Sequence, residues 1–129
     1  MMLHVPGLYI QDTAKKGRGV FCAHDLQEGD TIELCPLIVI PPSEVAAIHE
    51  THLHDYYFLW PAVNGAACIA LGYGSLYNHH SDPNAQVIMD LDNEMIEIRS
   101  IKAIPAGTEI LIDYTDGGAS EEPLWFQEE

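Results

Sequence analysis

Turn-forming residues interrupt this chain so often that no long element fits between them, and that spacing limits the fold more than any other feature. Clusters of Gly, Pro, Asn, Asp and Ser recur about every eight to twelve positions, the interval expected when short strands are joined by tight turns. The apolar stretches between them are short and rich in β-branched and aromatic residues, as at Leu8-Tyr9-Ile10, Val20-Phe21-Cys22 and Leu37-Ile38-Val39-Ile40. Residues 86–101 read as the clearest hairpin. Val87, Met89 and Leu91 alternate with polar positions, Asp92-Asn93 supply the turn, and Ile96 and Ile98 alternate again on the return. Residues 31–35 and 37–40 read as two strands, and residues 55–60 as an extended aromatic segment. A short helix is expected over residues 44–50, with Ser43 as its N-cap behind Pro41-Pro42. The fold class is mainly β, with few short helices.

At 129 residues the chain is expected to form one domain, with enough length for a core and too little for two. No apolar run approaches the ~18 residues that would span a bilayer. The first residues lack the basic and apolar regions of a signal peptide, so an intracellular location is expected. Cys22, Cys35 and Cys68 are odd in number and well separated, which argues against a disulfide framework or a clustered zinc site and for three buried or half-buried thiols. Twenty acids against five bases give a formal charge of −15. A sizeable nucleic-acid surface needs clustered Lys and Arg, so direct nucleic-acid binding is not expected. An acidic surface instead attracts cationic partners, and it also keeps a small protein in solution.

Three polar segments are out of keeping with ordinary strands. Lys16-Gly17-Arg18-Gly19 places two glycines between strands, where missing side chains let backbone N–H and C=O groups approach a ligand. No long helix follows, so it is not a dinucleotide fingerprint. Asn78-His79-His80-Ser81-Asp82-Pro83-Asn84 is compatible with a plain loop held by side-chain-to-backbone bonds, or with ligands for a divalent ion. Adjacent histidines rarely converge on one ion, however, and no partner set is evident. The third segment, residues 107–114, is an apolar strand that ends at Asp113-Tyr114. The densest histidine run, His49, His52 and His54, lacks the spacing of a zinc protease helix. His49 and His52 could share a helix face, but a polar helix end accounts for them equally.

In order and spacing these segments resemble the three signature motifs of the SET-domain protein-lysine methyltransferases, written roughly GxG, NHSxxPN and GEExxxDY. The resemblance is closest to minimal stand-alone SET proteins of bacteria and large viruses, which share the pattern LGxGxxxNHSxDPNA. It implies several small sheets with a C-terminal pseudoknot, a single domain over residues 1–129, a core to about residue 115, and a tail or lid over residues 116–129. The implied activity is transfer of a methyl group from S-adenosylmethionine to a lysine in a basic, histone-like or ribosomal protein, in the cytoplasm or on chromatin. By the same resemblance Lys16, Gly17, Arg18, Gly19, Asn78 and His79 bind the cofactor, and Asn84 ties the loop into the fold. Tyr114 is the catalytic tyrosine of the methyl-transfer pore, while Tyr56 and Trp125 line the substrate channel. No metal is implied. Minimal relatives also pair as homodimers, although no self-complementary surface is legible in this chain. Two positions depart from the pattern: His80 stands in the place of the family's Ser, and Ser75 where larger relatives often carry Arg. A module that binds basic tails without turnover is the alternative.

Overall fold

The computed structural model describes residues 3–113, arranged as two sheets that share a core. In chain order the strands are β1 (Leu8–Asp12), β2 (Arg18–Cys22), β3 (Thr31–Ile40), β4 (Tyr57–Leu59), β5 (Ala67–Ala70), β6 (Asn78–His79), β7 (Ala85–Asp90), β8 (Met95–Ser100) and β9 (Glu109–Ile112). A helix, α1 (Pro42–His49), and two 3-10 turns, His52–Asp55 and Gly74–Leu76, complete the described elements. The expected mainly β architecture is therefore present.

One sheet has the order β4-β5-β3-β8-β7 and the other β1-β2-β9-β6. The first rests on β3, which the sequence reading divided at Pro36. The strand runs on through Pro36 because its partner changes there: Thr31 to Pro36 pair with β8, and Leu37 to Ile40 pair with β5. A proline cannot donate to a ladder, so the handover is a position where the missing N–H costs little. A register shift lies between Thr31 and Glu33. It places Ile32 and Glu33 both inside, where strict alternation would bury only one.

The hairpin β7–β8 forms in register from Ala85↔Ser100 to Asp90↔Met95. Its turn is wider than the expected two residues. Asp90 accepts bonds from the Asn93 backbone and side-chain N–H groups, and Glu94 adopts φ 52°. Helix α1 starts at Pro42 rather than behind Ser43. Proline at the first helical position is already set to a helical φ and lacks only an N–H that would have no partner in the helix.

Ile32, Cys35, Ile96 and Ile98 from the larger sheet and Val20, Ile110 and Ile112 from the smaller one belong to one buried cluster. Burying each such aliphatic side chain contributes roughly 1.5–3 kcal/mol. The three cysteines are free and buried, as expected. Burial, reinforced by neighbouring Glu33, raises the Cys35 thiol far above its ordinary range, and burial raises that of Cys68 to about 12.

Candidate functional site

The smaller sheet brings the three polar segments together. Strand β9 lies between β2, which carries Arg18 and Gly19, and β6, which is Asn78-His79 itself. The sequence reading treated Asn78-His79 as loop. It pairs instead in parallel with β9, Asn78 beside Leu111 and His79 beside Ile112.

Glu109 opens β9 and supplies the contact that joins these segments. Its Oε2 accepts a 2.7 Å bond from Asn78 Nδ2, which also donates to the Arg18 carbonyl at 3.2 Å. Gly19 makes room for this: a Cβ there would overlap Glu109 Oε2 and crowd Asn78 Nδ2. The glycine requirement is thus a close approach. The carboxylate of Glu109 escaped the sequence reading, although it lies inside the quoted third motif.

Asn84 ties the loop to β9 with both ends of its amide, as the resemblance implied. Its Nδ2 donates to the Glu109 carbonyl and its Oδ1 accepts from Leu111 N–H, each at 2.8 Å, while its own N–H reaches the Leu111 carbonyl at 3.1 Å. His79 is buried, with Nδ1 3.6 Å from Asp113 Oδ1, and the Lys16 ammonium donates to its carbonyl. His80 donates its N–H to the Ile112 carbonyl, and its ring Nδ1 accepts from Asp82 N–H at 3.0 Å. The histidine that replaces the family's Ser therefore closes a local turn.

Two hollows flank this junction. Lys16 and His80 line one of about 270 Å³ with Thr13, Lys15, Glu109 and Leu111. Arg18 lines the other, of about 540 Å³, with Leu53, Tyr56, Ile69, Ser75 and Leu76. The predicted cofactor residues thus divide: Lys16 and Arg18 face different hollows, and Tyr56, assigned to a substrate channel, shares a groove with Arg18. Gly17 adopts φ +72° beside open space, and its carbonyl accepts from the Thr13 N–H and hydroxyl.

A buried carboxylate supports the groove wall, and nothing in the sequence reading anticipated it. Glu33 is 2% exposed; its Oε1 accepts from Tyr77 OH at 2.7 Å and its Oε2 from Tyr73 N–H at 2.9 Å. Burial and the Glu33 charge both raise the Tyr77 hydroxyl well above its ordinary range, so it stays a donor.

Two histidines of the run, His49 and His54, pack against each other. His49 ends α1 and meets the rings of His54 and Tyr57, whereas His52 lies in the following 3-10 turn and lines the larger groove. Among the described residues no group of three or more His, Cys, Asp or Glu is placed to hold a metal ion. Tyr114 and Trp125 lie outside the described residues.

Comparison with known proteins settles the family. The SET domain pattern matches residues 17–115. The chain belongs to the SET domain family. A relative in Schizosaccharomyces pombe, the histone-lysine N-methyltransferase specific for H3 lysine-37, is 32% identical over 123 residues, covering 95% of this chain and 78% of its own. A crystal structure of a candidate histone methyltransferase of Plasmodium falciparum superposes with a TM-score of 0.68 at 31% identity, covering 84% of this chain and 92% of that one. CpSET8 from Cryptosporidium shares the fold, with a TM-score of 0.67 at 24% identity; the alignment spans 88% of this chain and 59% of that one. The matched residues contain Gly17–Gly19, Asn78–Asn84 and the third segment, which meet around β9. No described helix is long and apolar enough to cross a membrane.

Proposed function

We propose that this chain is a protein-lysine methyltransferase that uses S-adenosylmethionine and acts on a lysine in a basic, histone-like protein segment. The observation that carries the reading is the junction of Gly19, Asn78 and Glu109 on β2, β6 and β9, directly before Asp113-Tyr114 in the chain. Family membership and the named activity of the yeast relative support it.

The larger groove fits the donor. Its volume lies in the range of small-molecule sites, roughly 300–1,000 Å³. Tyr56, Leu53 and Ile69 offer apolar and aromatic surface for a purine, and Arg18 offers a cation for a carboxylate. When bound, S-adenosylmethionine supplies a methyl carbon that a neutral lysine amine takes in line, the electrons of the broken carbon–sulfur bond staying on sulfur. Tyr114, following Asp113, holds amine and methyl on one axis, and such alignment is worth several kcal/mol. A tyrosine ring and hydroxyl oxygen also stabilise positive charge, here that of the sulfonium and the forming ammonium. The incoming lysine has an unperturbed pKa near ~10.4. An aromatic pore lowers that value by desolvation and by repulsion from the sulfonium, so the proton leaves to water without a dedicated base. The chain's acidity favours encounter with a basic tail.

Labelled S-adenosylmethionine incubated with the protein and core histones is expected to give methyl-lysine in the histone fraction. Tyr114→Phe is expected to lower turnover by about a hundredfold with little change in cofactor affinity, since its task is alignment. Cofactor binding without transfer to any basic protein would favour the binding-module alternative.

A further inference from the structure

The shift in β3 that turns Glu33 inward has a consequence for the groove. Glu33 lies in the larger sheet, yet its two carboxylate oxygens are spent on the segment that leaves β5 and enters β6. Oε2 holds Tyr73 N–H and Oε1 holds Tyr77 OH, the two ends of the turn that carries Ser75 and Leu76 into the groove. Gly72 has φ +67°, and a Cβ there would overlap Glu33 Oε2, so the carboxylate and the turn are fitted to each other. Ser75 adds a local bond to the Ala70 carbonyl at 2.9 Å. A buried, doubly bonded carboxylate is a costly way to make a core, because the charge must be desolvated. An apolar side chain would avoid that desolvation but would leave Tyr73 N–H and Tyr77 OH without an acceptor. What the carboxylate provides instead is a fixed position for the turn.

We propose that Glu33 is a positioning residue for the donor groove: it clamps residues 73–77 so that Ser75 and Leu76 form the groove wall, and Asn78 meets Glu109, before the donor arrives. The proposal rests on the reading of the groove as the S-adenosylmethionine site. Its physical content is preorganisation. If the clamp is lost, the turn samples other positions, and apparent affinity falls by the fraction of time the wall is correctly formed. The chemistry at the pore is untouched once the groove is filled. Loss of the clamp should therefore appear in binding and not in the transfer step.

Calorimetric titration of S-adenosylhomocysteine, with steady-state kinetics on a histone substrate, separates the outcomes for wild-type, Glu33→Gln, Tyr77→Phe and Gly72→Ala. Val87→Ala, a core truncation in β7 away from the groove, controls for lost stability. The expected result is about a tenfold loss of cofactor affinity in the clamp variants, a matching rise in cofactor KM, kcat within about twofold of wild-type, and wild-type affinity in Val87→Ala. If Glu33→Gln does not fold, Tyr77→Phe decides, since it removes one hydroxyl and leaves the carboxylate in place. Wild-type affinity in folded Tyr77→Phe and Gly72→Ala would overturn the proposal, as would equal losses in Val87→Ala. Failure of the wild-type protein to bind S-adenosylhomocysteine would overturn the reading of the groove itself.

Discussion

The two sheets are built on different terms. In the larger one, β7 and β8 follow each other in the chain and pair over six positions, and β3 pairs with β8 and β5 along its length. In the smaller one, β9 touches β2 at two positions and β6 at two, and all three come from distant parts of the sequence. Long backbone ladders carry the first sheet, with the Thr31 hydroxyl also donating to Glu97 across β3 and β8. The second needs side chains to close it: Asn84 across to β9, Glu109 to Asn78, and Lys16 to the His79 carbonyl. The polar groups proposed to form the site also join β9 to β2 and β6.

The sharpest way to break this contrast is to remove one such side chain. Asn84→Ala deletes two bonds to β9 and leaves part-buried backbone groups unpaired, at no more than about 1–3 kcal/mol for each group. Cofactor binding should be lost along with several degrees of melting temperature. Val87→Ala in the hairpin should cost a similar amount of stability by leaving a cavity, yet keep cofactor affinity. Calorimetry and thermal melts on both variants check the pair. Equal effects on binding would remove the distinction between the sheets.

A smaller effect is expected at Gly19. Gly19→Ala forces Glu109 away from Asn78, so turnover should fall about tenfold while the melting temperature drops by only a few degrees. Unchanged kinetics would mean that the contact is dispensable. The smallest effect concerns the buried thiols. Cys22 lies in β2 of the smaller sheet, whereas Cys35 and Cys68 lie in the larger one. Alkylation of the native protein at about pH 8 requires local opening and a thiolate. With its thiol raised to about 12 by burial, Cys68 has few thiolates at that pH. Mass spectrometry should find Cys22 modified before Cys68; the reverse order would place the weaker sheet elsewhere.

The same division explains what the sequence disclosed. The β7–β8 hairpin is written in alternation, because one face meets the core and the other meets water. Glu33 is hidden from that rule, since a register shift breaks the alternation just before it. Pro36 reads as a stop and is a change of partner. Motif order pointed to Gly19, Asn78 and Asn84, but the Glu109 bond to Asn78 is a contact between distant residues that no local pattern encodes. Nor does spacing reveal that Lys16, in the bend before β2, and Arg18, its first residue, line separate hollows. Tyr114 and Trp125 lie outside the described residues, and their roles stand on the family resemblance.

That the groove of Arg18, Tyr56 and Ser75, beside the junction of β2, β6 and β9, binds the donor is tested most directly by a crystal structure with S-adenosylhomocysteine. The ligand is expected in the larger groove with its carboxylate near Arg18. A ligand seated in the Lys16–His80 hollow, or away from β2 and β6 altogether, would contradict it.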